Sequence, residues 1–130
     1  MKTPEGLKYS AEHEWIKVLD NDEALIGVTD FAQSELGEIV YVEIDMLGEE
    51  VAKDEVFGTV EAVKTTSELF MPVSGEILEF NPAISEDDGD DPALVNSDPY
   101  GEGWIIKIRM TDTSELDGLM DAAAYADMVS

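Results

Sequence analysis

Lys64 has the setting of an amine that an acyl-transferring enzyme could reach. It lies in Val60-Glu61-Ala62-Val63-Lys64-Thr65-Thr66-Ser67-Glu68-Leu69, between two extended candidates, Val56 to Val63 and Thr66 to Met71, in a chain with six lysines. A lysine at a hairpin tip is held out in solvent on a rigid support, with its ε-amine open to amide formation. The same residues also fit a solvated surface lysine, the commoner case. Other chemistry is scarce. His13 is the only histidine and cysteine is absent. A Ser-His-Asp triad or a multi-histidine metal site would have to share one ring, and disulfides, thiolate nucleophiles and Cys-based zinc sites are excluded. Beside Trp15 in a β-rich segment, His13 reads as a partner contact or a packed residue. Asp87, Asp88, Asp90 and Asp91 lack the spacing and bidentate glutamate of a calcium loop, so they read as a solvated acidic run. Pro99-Tyr100-Gly101-Glu102-Gly103-Trp104 reads as a tight turn with packed rings rather than a binding loop.

The chain that must position these residues has 130 of them, 44% hydrophobic, enough for one compact domain over 1–130. Its formal charge is −24, from 31 acidic and 7 basic residues. Phosphate backbones and anionic lipid would repel such a surface, so nucleic acid and membranes are not expected partners. The acids are spread along the whole chain, which favours a surface adapted to a salty cytoplasm over an acidic tail for a basic partner. The N-terminus lacks the apolar core of a signal peptide, and no stretch approaches a membrane span of about 20 apolar residues. The expectation is a soluble, cytoplasmic protein.

The supporting elements read mostly as strands. Tyr9 to Leu19 and Glu23 to Val28 flank Asp20-Asn21-Asp22 as a hairpin. Thr29 caps a short helix, Asp30 to Leu36, stopped by Gly37. Glu38 to Asp45 is a β-rich run closed by a turn at Leu47-Gly48-Glu49, and Glu76 to Phe80 follows the Pro72-Val73-Ser74-Gly75 break. Val56-Phe57-Gly58-Thr59-Val60 resembles Val73-Ser74-Gly75-Glu76-Ile77, a weak internal repeat suggesting two similar halves. Asn81 to Tyr100 is polar and reads as a surface connection. Trp104 to Met110 alternates as a strand. After a cap at Asp112, Leu116, Leu119, Met120, Ala123, Ala124 and Met128 follow helical spacing, predicting one amphipathic C-terminal helix.

Gly58 to Gly75 closely resembles the lipoyl-attachment region of glycine cleavage H proteins, in which the modified lysine follows Glu-x-Val and Pro-x-Ser-Gly lies beyond it. The family's lysine falls on Lys64. Four further blocks match in family order: Tyr9 to Ile16 with its His-Glu-Trp, Ile26 to Gln33, Leu36 to Val42, and Val95 to Ile105. The acidic loop Glu86 to Asp91 is a departure.

The resemblance implies a mostly β fold, a flattened barrel-sandwich hybrid of two sheets with a short internal helix and a C-terminal helix. It implies lipoic acid bound as an amide on Lys64, and a non-catalytic carrier that shuttles the methylamine group of glycine. The implied partners are a pyridoxal-phosphate glycine decarboxylase, an aminomethyltransferase, a flavin-containing dihydrolipoyl dehydrogenase and a lipoylating enzyme, met by a monomeric carrier. It also implies that the loaded arm docks in a surface cleft with Glu14 facing its amine, Glu68 and His13 being further docking candidates. Without the resemblance, Glu14 is one surface acid among many. Two other readings stay open: a relay donating lipoate to 2-oxo acid dehydrogenase complexes, and an unmodified acidic interaction module.

Overall fold

The computed structural model describes residues 2–85 and 89–129. In chain order the elements are β1 (Lys8–Tyr9), β2 (Glu14–Val18), β3 (Glu23–Val28), α1 (Asp30–Leu36), β4 (Ile39–Ile44), β5 (Glu50–Val51), β6 (Val56–Ala62), β7 (Thr66–Phe70), β8 (Gly75–Phe80), α2 (Leu94–Ser97), β9 (Ile106–Met110), a 3-10 helix (Thr113–Gly118) and α3 (Ala122–Val129). One six-stranded sheet runs β1-β2-β3-β9-β8-β5 and a three-stranded sheet runs β4-β6-β7, neither closed on itself. This is the expected mostly β, two-sheet architecture.

Local chemistry explains several elements directly. The β2–β3 turn places Asn21 at φ 60° and Asp22 at φ 62°, a left-handed pair that suits a two-residue hairpin and that these side chains tolerate. α1 begins where Thr29 accepts the Ala32 N–H and ends at Gly37, with φ 80° and ψ −158°. The repeated glycines occupy matching surroundings in different sheets. A Cβ on Gly58 would stand 2.4 Å from Glu43 O of β4, and one on Gly75 would stand 2.8 Å from Arg109 O of β9. Each glycine lets two strands approach closely.

Elsewhere tertiary contacts override the local pattern. The expected strand from Tyr9 to Leu19 is broken at residues 10–13, so that Tyr9 can pair back onto Trp15. β5 pairs two residues with β8, too short a segment to show a period. Asn81 to Tyr100 is not simply a surface connection: Asn81, Ile84, Ser85 and Val95 are buried. Asn81 can be buried because its side chain donates to Glu102 O and Trp104 O at 2.8 and 2.7 Å. Glu86, Asp87 and Asp88 lie outside the described residues.

The C-terminal helix is corrected most. Asp112 caps the 3-10 helix, accepting from Ser114 N–H, and Met120 then exchanges two backbone hydrogen bonds with Tyr9, at 2.8 and 2.9 Å. Asp121 accepts from Ala124 N–H and starts α3 afresh. The break resets the helical phase, so Ala122 and Tyr125 are buried while Ala123, Ala124 and Met128 are exposed.

The main core fills the space between the sheets with Ile16, Ile26, Phe57, Val60, Met71, Ile77, Ile106 and Ile108 among others. A second cluster joins Tyr9, Trp15, Ala122 and Tyr125. Trp15 lies flat over Gly27, where a Cβ would meet its Nε1 at 2.7 Å, and donates to Pro99 O at 2.9 Å. No helix among the described residues is long and apolar enough to cross a membrane.

Cations offset little of the acidic surface. Lys107 reaches Glu23 and Glu79 at 3.4 and 3.9 Å, and Arg109 reaches Glu23 and Glu76 at 3.7 and 3.6 Å. Exposed pairs of this kind each contribute about 0–1 kcal/mol, against a net charge of −24. The screening length falls from about 10 Å at 0.1 M salt to about 3 Å at 1 M. Repulsion therefore outweighs the pairs, and the melting temperature is expected to rise substantially across that range of potassium or sodium chloride. A salt-independent melt would show that this surface does not strain the fold.

Candidate functional site

Lys64 occupies the bend between β6 and β7, beyond the terminal pair Glu61 and Thr66. Ala62 N–H donates to Thr65 O at 2.8 Å across the bend, and Val63 N–H donates to Glu38 O at 2.9 Å, tying the bend to the start of β4. Asn96 of α2 fastens the same corner: its amide donates to Gly37 O at 2.9 Å and accepts from Ile39 N–H at 2.9 Å. The exposed lysine therefore projects from a pinned support. Its side chain crosses Gly37, where a Cβ would stand 3.2 Å from Lys64 Cε. The positive φ of Gly37 favours glycine independently.

A cleft of about 260 Å³ opens between α1, β6 and β7, and it brings together His13, Glu14 and Glu68. Its apolar wall is Val28, Phe31, Ala32, Leu36, Val60 and Leu69, with Glu12, Glu35 and Ser67 at the margins. Lys64 is outside this lining. Ser67, at the near wall, lies three residues along the chain, about 10 Å of strand.

Glu14 is 2% exposed. Its Oε1 accepts from Ser10 Oγ–H at 2.6 Å and its Oε2 from Phe70 N–H at 3.3 Å. Burial pushes its carboxyl up to about 8, the two hydrogen bonds pull it down, and nearby Glu12 and Asp54 add to the rise. At neutral pH Glu14 thus presents mainly a carboxylic acid to the cleft. Glu68 is exposed.

His13 sits in the turn before β2 with φ 72°. Its Nδ1 is 2.8 Å from Tyr125 OH, and its ring packs 4.9 Å from that of Phe31. Burial lowers its pKa against the opposing pull of Glu12 and Glu35. Among the described residues, no group of three or more His, Cys, Asp or Glu could hold a metal ion.

Sequence reasoning missed Ser10, which bonds Glu14, and Asn96, which pins the lysine corner. It also missed Tyr125, the partner of His13 from 112 residues away. The block containing Asn96 offered one signal, an amide side chain in a family-like segment. Ser10 likewise lies in a family-like block, Tyr9 to Ile16, whereas Tyr125 lies outside every such block and offered none.

A family model described as Glycine cleavage H-protein matches residues 7–130. The chain is 53% identical to the glycine cleavage system H protein of Chlorobium phaeovibrioides, over 99% of this chain and 98% of that one. It is 51% identical to the protein of the same name from Bacteroides fragilis, over 100% of this chain and 99% of that one. It superposes on the crystal structure of a glycine cleavage system H protein from Mycobacterium marinum with a TM-score of 0.83 and 35% identity, covering 96% of this chain and 97% of that one. Matched along nearly its whole length in sequence and in fold, the chain belongs to the glycine cleavage H-protein family.

Proposed function

We propose that Lys64 is the lipoyl attachment site and that the adjacent cleft receives the arm, with Glu14 meeting a cationic amine carried on it. As a member of this family, the chain is a lipoyl carrier of the glycine cleavage system. The observation that supports the site is one juxtaposition: an exposed amine on a pinned bend, beside an apolar-walled cleft that contains a buried acid. The residues fit the group. Six apolar side chains suit its hydrocarbon portion, and a reach of roughly 10 to 15 Å for a dozen extended bonds brings the cleft within range.

When bound on Lys64, the lipoyl group would supply the dithiolane chemistry by which a carrier of this family holds the methylamine group of glycine. The chain's own residues position and protect. Lys64 provides the amide nitrogen, and Gly37 leaves room for its stem. Phe31, Leu36 and Leu69 give the cleft an apolar wall that would shield a seated arm from water. Glu14, raised to about 8 by burial, holds a proton at neutral pH when no cation faces it. An amine that arrives neutral would take the Glu14 proton, and one that arrives as a cation would send that proton to water; either way a carboxylate and an ammonium face each other in a charge-assisted hydrogen bond. His13 and Glu68 border the same space. In this reading the chain is a non-catalytic carrier, its residues positioning the arm while the partner enzymes make and break the substrate bonds.

The pyridoxal-phosphate decarboxylase, the aminomethyltransferase, the flavin dehydrogenase and the lipoylating enzyme then meet this monomeric, single-domain carrier in turn. The acidic surface fits a cytoplasm of high ionic strength. Intact mass and peptide mapping of the native protein test the attachment site: a lipoyl adduct is expected on Lys64. An adduct on Lys53, whose backbone N–H is tied to Ser74 Oγ at 2.9 Å, would overturn the assignment, as would an unmodified chain from a lipoylating host.

A further inference from the structure

Thr29 is fully buried, and its Oγ accepts from Ala32 N–H at 3.1 Å as the cap of α1. Among the described residues, the hydroxyl proton of Thr29 has one polar partner, Tyr125 OH, 2.7 Å away. A Tyr125 oxygen that accepts from Thr29 directs its own proton to His13 Nδ1, at 2.8 Å. An accepting Nδ1 carries no proton, so the ring proton is on Nε2. His13 lines the cleft, and with Nδ1 committed to Tyr125, Nε2 is the nitrogen left to face it. The geometry is braced at both ends. Tyr125 stacks on Tyr9 with centroids 4.8 Å apart and planes 9° from parallel, and His13 is held by its left-handed turn.

We propose that Tyr125 is a positioning residue that keeps His13 in the Nε2–H tautomer, making the ring a hydrogen-bond donor to the lipoyl arm in the cleft. This rests on the reading of that cleft as the dock for the arm. A cationic amine needs an acceptor, which Glu14 provides, and it needs the absence of a competing cation. A neutral Nε2–H can donate to a sulfur or thiolate of the arm without repelling the amine. Protonation of His13 would require Nδ1 to become a donor, so Tyr125 would have to turn its proton onto the second lone pair of Thr29 Oγ and leave the buried Thr29 hydroxyl proton without its partner.

The groups facing the ring are Glu12 on its own turn, Glu35 on α1, Glu14 on β2, Glu68 on β7 and the phenol of Tyr125 on α3. Burial outweighs the pull of Glu12 and Glu35 and lowers the imidazole pKa, while burial raises that of Tyr125 and keeps its proton in place. The sign follows: the neutral donor is present above the lowered pKa and is lost as pH falls through it. Retention of the charged arm should weaken on the same acid side.

A single histidine makes the measurement unambiguous. In the unmodified protein labelled with 15N-histidine, the ring spectrum should show Nδ1 unprotonated and Nε2 protonated. Tyr125→Phe, which keeps the stacked ring, should yield a tautomer mixture and a shifted imidazole titration. Charged with its aminomethyl cargo, Tyr125→Phe should release formaldehyde and ammonia several-fold faster than wild type while Lys64 modification stays complete. His13→Gln keeps an N–H donor but takes up no proton, and it should remove the acid limb of the release profile without depending on the fold of the tyrosine variant. A wild-type ring protonated on Nδ1, or a Tyr125→Phe spectrum equal to wild type, overturns the proposal whatever the arm does. A shifted tautomer with unchanged release overturns its link to the arm. Failure of the docking reading itself shows separately, as equal release from Glu14→Ala and wild type.

Discussion

Lys64→Arg is expected to abolish carrier activity and leave the fold intact. A guanidinium stays protonated at any working pH and presents no nucleophilic amine, so no lipoyl amide can form although the positive charge is kept. The side chain is exposed and the bend is held by backbone bonds from Ala62 and Val63, none of which needs the lysine. Exposed substitutions of this kind stay within about 0.5 kcal/mol, or about 2 °C in melting temperature for a domain of this size. With the partner enzymes supplied, glycine-dependent carbon dioxide release should fall to background, and intact mass should show no adduct. Lys53 should be dispensable. Full activity in the arginine variant would sink the assignment of Lys64.

Glu14 should show two large effects, one on stability and one on the arm. Its carboxyl titrates near 4.5 when unperturbed and is raised to about 8 in the fold. Between those values the folded state binds more protons than the unfolded one, so stability is highest below the unfolded pKa. It is lost as pH rises through about 8. Glu14→Gln carries no such proton, so it should match wild type near pH 4 and become the more stable protein as pH rises to 8. A raised acid of this size contributes on the order of a few kcal/mol to that difference. Denaturant melts of the two proteins at paired pH values check it, and parallel curves would show that the acid is not strained by burial.

The same buried acid should govern the lifetime of the charged arm. Hydrogen bonds to charged groups contribute about 1.5–3 kcal/mol, and 1.36 kcal/mol is a factor of ten in rate. Glu14→Ala is therefore expected to accelerate release of formaldehyde and ammonia about 10- to 100-fold, measured without aminomethyltransferase or folate, while Lys64 lipoylation stays normal. Equal release would remove Glu14 from the protective role. Acceleration by Glu68→Ala alone would transfer that role to the exposed acid beside the attachment bend.

What could be read without the fold was local. The left-handed Asn21-Asp22 turn, the Thr29 cap, the Gly37 stop and the Lys64 hairpin each follow from side chains within a few residues of the element they shape, so chain order carried them. The family-like blocks added the likeness that singled out Lys64 and Glu14. Tertiary structure decided the rest. Nothing adjacent to Glu14 forecasts a 2% exposed carboxyl, because its surroundings come from the turn at Ser10 and the backbone of Phe70, 56 residues away. Tyr125 meets His13 only because Met120 pairs with Tyr9 and Asp121 restarts the helix, which rotates the buried face away from the continuous period. Asn81 reads as a loop residue until its amide finds two carbonyls, of Glu102 and Trp104, just beyond the far end of the connection it begins. Periodicity and capping depend on sequence neighbours, whereas desolvation and the direction of a proton depend on groups that only folding brings together.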